Sequence, residues 1–191
     1  MTEIKRIISE SISTKQRILD NQDLLMRIDA FRSAIVSAYR NGAKVLLCGN
    51  GGSAADAQHI AAELSGRFYL DRKPLYAEAL HCNSSYMTSV SNDYGFENVF
   101  SRAVEAMAHK GDVLVGLSTS GNSANVIRAF EKAREMGVTT IAMTGSNGGK
   151  IASLSDLLIN IPSEDTPRIQ EAHIMIGHIV CELVEKEIFV K

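Results

Sequence analysis

Residues 112–137, DVLVGLSTSGNSANVIRAFEKAREMG, decide the fold. The run 112–117 (DVLVGL) is apolar and too short for a helix, so it reads as a buried strand. It ends in Ser118-Thr119-Ser120-Gly121-Asn122-Ser123, and a helical pattern over about 122–136 follows at once. The same alternation recurs on both sides. Short apolar runs at 44–48 (KVLLC), 75–79, 138–143 (VTTIAM) and 156–161 (DLLINI) are bounded by Gly, Asp or Pro. Helical patterns occupy about 54–66, 84–108 with a break near 93–95, 148–154 and 167–188. Strands alternating with helices imply an α/β domain of three layers, with helices on both faces of a five-stranded parallel sheet.

Upstream of the first strand, residues 3–41 are helical in pattern. Ile4, Ile7, Ile8 and Ile12, then Leu24, Leu25, Ile28, Phe31, Ile35 and Val36, recur at threes and fours, and Asn41-Gly42 ends the second helix. Two long helices exceed what such a sheet needs for cover. Part of their apolar surface is therefore expected to pack on another subunit; the alternative is a helical layer within the monomer.

With 191 residues, 45% hydrophobic and 22% charged, the chain has the size of one domain. It divides into N-terminal helices (1–41) and an α/β core ending in a long helix (42–191). A net charge of -2 without a Lys/Arg run offers no grip on nucleic acid or an anionic membrane. The opening residues MTEIKRIISESI lack the apolar core of a signal peptide, and no stretch matches a membrane helix. Cys48, Cys82 and Cys181 are odd in number and read as reduced thiols, which points to the cytoplasm.

In parallel sheets, ligands bind beyond the carboxyl ends of the strands, so the loops there carry the chemistry. Cys48-Gly49-Asn50-Gly51-Gly52-Ser53 joins a strand to a helix; its glycines allow close backbone approach, and the helix N-terminus offers free N–H groups. It lacks the third glycine of a dinucleotide fingerprint and the Lys of a P-loop, and a tight turn is the plain alternative. The 118–123 loop brings four hydroxyls and a glycine to a helix N-terminus, a way to hold phosphate without a basic side chain. Helix capping, by Asn122 for instance, would use only one of these residues. His59 and Glu63, four apart, share a helix face and can converge on one ion or on substrate; a surface hydrogen bond is the common alternative. Segment 168–178, RIQEAHIMIGH, lies on the last helix, where His178 among Ile176, Ile179 and Val180 suits a neutral metal ligand or a satisfied core histidine.

Together, CGNGGSAADAQHIAAELSGR (48–67), SNDYGFENVFSR (91–102), GDVLVGLSTSGNSANVI (111–127), TGSNGGK (144–150) and RIQEAHIMIGHI (168–179) resemble the sugar isomerase (SIS) domain and, within it, the phosphoheptose isomerase family. The resemblance spans essentially the whole chain. It implies an aldose–ketose isomerase that converts D-sedoheptulose 7-phosphate to D-glycero-D-manno-heptose 7-phosphate through an enediol, feeding heptose into lipopolysaccharide, capsule or other glycans. One zinc per subunit would be held by His59, Glu63, Gln170 and His178, with Glu63 and His178 as the catalytic pair. Substrate contacts would come from Asn50, Gly51, Gly52, Ser53, Asn92, Asp93, Ser118, Thr119, Ser120 and Ser123, with Glu63 and Gln170 completing the pocket. It also implies a homotetramer.

Gln170 and His178 are eight residues apart, about 12 Å along a helix, so both reach one metal only by leaning together or across a subunit boundary. This places the expected active site at a subunit interface. A non-catalytic SIS tetramer that binds the bacterial replication initiator is the alternative function, and it need not retain His59, Glu63, Gln170 and His178. An amino-sugar phosphate isomerase and a sugar-phosphate sensor are further readings, and no DNA-reading segment precedes the domain. Tyr69, Tyr76, Tyr86 and His81 could tune the pocket or simply pack.

Overall fold

The computed structural model describes residues 1–190. Its centre is a sheet of five parallel strands, β1 (Val45–Gly49), β2 (Ala77–Ala79), β3 (Val113–Leu117), β4 (Thr139–Thr144) and β5 (Leu157–Asn160), ordered β2-β1-β3-β4-β5. Around it run α1 (Thr2–Leu19), α2 (Gln22–Arg40), α3 (Gly52–Ser65), α4 (Ser84–Tyr94), α5 (Val99–Met107), α6 (Ala124–Glu135) and α7 (Thr166–Phe189). Short 3₁₀ turns occupy Phe96–Asn98 and Lys150–Leu154.

Alternation along each strand builds two cores. Val45, Leu47, Val113, Val115, Leu117, Ile141 and Met143 face α2, α3 and α7; Leu46, Cys48, Leu114 and Ala142 face α5 and α6. Both faces are therefore covered, as the apolar runs required. α6 lies close on β3 because Gly116 has no side chain: a Cβ there would stand 2.4 Å from the Phe130 ring. The N-terminal layer divides. α2 buries Leu24, Ile28, Phe31 and Ile35 within the core, whereas α1 buries only Thr14 and Ile18. Among the described residues, no helix is long and apolar enough to cross a membrane.

Several boundaries differ from the sequence expectation, for local reasons. The strand expected at 75–79 shortens to Ala77–Ala79 because the Leu75 N–H donates to the Leu64 carbonyl at the end of α3 rather than to the sheet. The first residues of other runs serve as clamps. The Asp112 carboxylate accepts from the backbone N–H of Lys44 (2.9 Å) and His109 (2.7 Å) and from Lys44 Nζ (2.6 Å), and Asp156 accepts from the Thr140 N–H (2.8 Å). The helix expected over 148–154 is only a 3₁₀ turn. Gly148 and Gly149, at φ 69° and 58°, reverse the chain, leaving five residues to wind.

Candidate active site

The strand order reverses between β1 and β3, the place in a parallel sheet where the loops leaving the carboxyl ends diverge and ligands bind. On the β1 side, Gly51 takes φ 55°, ψ -121°, a conformation suited to glycine, and Gly49 lets the chain fold back to within 2.6 Å of where its Cβ would meet the Ser53 carbonyl oxygen. Ser53 is buried and Asn50 half-buried. Asn50 and Asn125 then join the two sides by exchanging two amide hydrogen bonds of 2.9 Å. Asn125 is 3% exposed, a polar residue inside the apolar stripe of α6, and that misplacement was the one sequence signal for its role.

On the β3 side, the buried Ser118 hydroxyl lies 2.9 Å from the Ser123 hydroxyl at the N-cap of α6. The Ser123 side chain makes no capping bond, and Ser120 Oγ accepts from the Asn122 N–H (3.2 Å). Asn122 is not the cap; its amide donates to the Ser120 carbonyl (2.9 Å) and accepts from the Lys150 N–H (3.1 Å), fastening the loop to the neighbouring turn. A cavity of about 160 Å³ beyond β4 and β5 is lined by Thr119, Ser120, Ser146, Ser163, Thr166 and Glu164 among others. Hydroxyls from three loops meet there; the Glu164 carboxylate makes it a poorer seat for a phosphate than the N-terminus of α6, whose first turn carries no acidic residue.

The third cluster joins α3 to α7. His59 Nε2 is 3.0 Å from Glu63 Oε1 and 3.3 Å from His178 Nε2, with the two rings edge to face at 4.9 Å. Ligand atoms of all three residues lie within 4.8 Å of one another. A single proton on His59 Nε2 can serve only one of the two neighbours, so the acceptor on the other is left without a donor. A cation relieves that arrangement, and two imidazoles with a carboxylate are a zinc-type donor set with positions left open. Phe68 packs beside His178 at 5.7 Å between centroids. Asp56, one turn before His59, has its carboxyl raised by burial, opposed by the fields of His59 and His178, and its Oδ2 has no partner.

Gln170 lies on α7 eight residues before His178. A Cβ on Gly52 would lie 2.5 Å from Gln170 Nε2, so the amide borders the glycine loop. One on Gly177 would meet Ile60 at 2.6 Å, so α3 and α7 run side by side in the same direction. Glycine at 177 is what lets them approach. Gln170 thus sits at the level of Gly52, about 10 Å along α3 from His59. Asn92 and Asp93 are exposed at the end of α4, where the Asn92 amide donates to the Asp93 carboxylate (2.8 Å). Tyr69 and Tyr76 are exposed; the Tyr86 hydroxyl donates to the Val99 carbonyl (2.8 Å), and both ring nitrogens of His81 are buried without a partner. His173 is a core histidine, fully buried, with Nε2 3.2 Å from the Thr144 carbonyl oxygen.

A parallel 2-1-3-4-5 sheet with glycine and hydroxyl loops at its switch point and a His–Glu–His cluster beside them defines a sugar-isomerase type of domain, and the SIS domain family matches residues 7–145. Across 186 residues the chain is 54% identical to the phosphoheptose isomerase of Clostridium acetobutylicum, covering 97% of this chain and 95% of that protein. The structure of phosphoheptose isomerase GmhA from Neisseria gonorrhoeae superposes with a TM-score of 0.91 at 44% identity, covering 97% and 98% of the two chains. That of a phosphoheptose isomerase from Francisella tularensis does so at 0.93 and 34%, covering 97% of each. The chain belongs to the phosphoheptose isomerase family of SIS domains.

Proposed function

We propose that the protein isomerises D-sedoheptulose 7-phosphate to D-glycero-D-manno-heptose 7-phosphate, the step that commits a ketose phosphate to heptose-containing glycans. The observation that carries this is the convergence of His59 and Glu63, on the helix that leaves the glycine loop, with His178 of α7. A non-catalytic scaffold would have no use for that cluster, and this sets the reading above an initiator-binding tetramer.

Moving a carbonyl from C2 to C1 removes a proton from carbon, passes through an enediol and returns the proton to the neighbouring carbon. Ser118, Thr119, Ser120 and Ser123 would anchor the phosphate at the N-terminus of α6, so that the reacting end is fixed by the length of the sugar. Asn50, Gly51, Gly52, Ser53, Asn92 and Asp93 would receive the hydroxyls between. Glu63 would take and return the carbon-bound proton, and His178 would shuttle the proton between the two oxygens. His59, Glu63 and His178 would hold one zinc, which supplies polarisation of the substrate oxygens. Gln170, two turns from the cluster, would complete the set by leaning in or by serving the site of an adjacent subunit. A homotetramer with shared sites accounts for this spacing and for the isoleucine face of α1. Three free cysteines accord with a reducing, cytoplasmic setting.

The test is incubation with sedoheptulose 7-phosphate in deuterium oxide. The wild-type protein should form product and incorporate deuterium at the substrate carbon, and a chelator should abolish both. Glu63→Gln should lose incorporation by three orders of magnitude or more; retained label would remove Glu63 from the base role.

A further inference from the structure

Behind the His–Glu–His cluster lies a second charged group that the proposed chemistry does not use. Arg72 and Glu185 form an ion pair of 2.7 Å in which both side chains are 2% exposed. Every polar atom of the pair is engaged. Glu185 accepts from the backbone N–H groups of Phe68 (3.1 Å), Tyr69 (2.8 Å) and Leu70 (2.8 Å) as well as from Arg72 Nε. The guanidinium donates to the carbonyls of Glu63 (2.8 Å), Leu64 (3.0 Å), Gly66 (3.3 Å) and Lys73 (3.1 Å). A buried ion pair gains little over well-packed apolar residues, so stability alone gives weak grounds for placing one here.

Its location supplies a better ground. Three of the four carbonyls that Arg72 binds, those of Glu63, Leu64 and Gly66, lie at the C-terminal end of α3, and one belongs to Glu63 itself. Glu185 is seven residues beyond His178 on α7, two turns on and on the same face. The loop held between them carries Phe68 onto the His178 ring. One pair therefore clasps the end of α3, the start of the following loop and α7, the three pieces on which the cluster depends.

We propose that Arg72 and Glu185 are positioning residues that fix α3 against α7, and so set the separation of His59, Glu63 and His178 for metal binding and proton transfer. The inference rests on the metal-dependent reading above. Arg72 must be arginine because only its planar fork reaches the carboxylate and the Glu63 and Leu64 carbonyls together.

Arg72→Lys keeps the charge pair and loses the fork; Glu185→Gln keeps the shape and loses the charge. Each is purified without metal, shown to be folded at 20 °C by far-UV circular dichroism, and titrated with Co²⁺ while the visible absorption of the ion is followed. Both variants should bind Co²⁺ about ten- to a hundredfold more weakly than the wild type, with altered visible bands, and kcat should fall while KM stays within about twofold. Folded variants with wild-type Co²⁺ affinity and spectrum would overturn the proposal, and so would failure of both to fold, which would assign the pair to the scaffold alone. Absence of Co²⁺ binding by the wild-type protein, or equal binding by His59→Ala, would instead bring down the metal reading and this inference with it.

Discussion

His173 and His178 are five residues apart on α7, each beside an isoleucine in sequence. What separates them is helical phase. His173 points inward to the Thr144 carbonyl at the end of β4, whereas His178 lies on the stripe that meets α3. Burial lowers the His173 pKa to about 4, with the hydrogen bond to Thr144 opposing the shift. Because the folded pKa lies below the unfolded value of about 6.5, the unfolded chain binds more protons between them, and stability is full above pH 6.5 and falls toward pH 4. The slope approaches about 1.4 kcal/mol per pH unit, or about 2 kcal/mol between pH 6.5 and 5. Urea unfolding at pH 7.5 and 5.0 should show that loss in the wild type, and His173→Met should lose correspondingly less. An equal acid loss in both would remove His173 as its source.

Elements were legible wherever a run of one periodicity stood between breakers. Residues 112–137 gave β3, the hydroxyl loop and α6 with shifts of one or two residues, because Gly121 and the hydroxyls punctuate them. Pairs that form across elements left little trace in the sequence: Asn50 with Asn125, or Gln170 with Gly52, depend on how helices are set on the sheet. The last pair makes a prediction. Gly52 is exposed at the start of α3, and a methyl group there would meet only the far end of a flexible side chain, so Gly52→Ala should leave the melting temperature within about 2 °C. It should nevertheless push the Gln170 amide aside and lower kcat/KM by tenfold or more, measured on sedoheptulose 7-phosphate. The contrast is Gly116→Val, where the neighbours are the Phe130 ring and Val126 in the core; overpacking should cost about 1–3 kcal/mol and appear in the urea midpoint.

At the scale of the molecule, α1 carries an unspent apolar face. Ile4, Ile8 and Ile12 are 58%, 53% and 60% exposed, and Ile7 beside them 39%. The helix is nonetheless fixed to the domain: Ser11 donates to Glu171 (2.7 Å), Arg168 reaches the Ile7 carbonyl (3.3 Å), and Thr14 and Ile18 face inward. A stripe at i, i+4, i+8 held outward is a face that an isologous contact between two copies would bury on both sides at once. Removal of the stripe should therefore dissociate the protein without unfolding it. The triple variant Ile4→Lys/Ile8→Lys/Ile12→Lys should retain its far-UV circular dichroism while its mass by light scattering falls below that of the wild type. If Gln170 serves an adjacent subunit's site, isomerase activity should fall with the mass, and mixing Glu63→Ala with Gln170→Ala protein by co-refolding should restore part of it. A triple variant of unchanged mass would show that the α1 stripe holds no subunits together, and a dissociated variant of full activity would confine each site to its own chain.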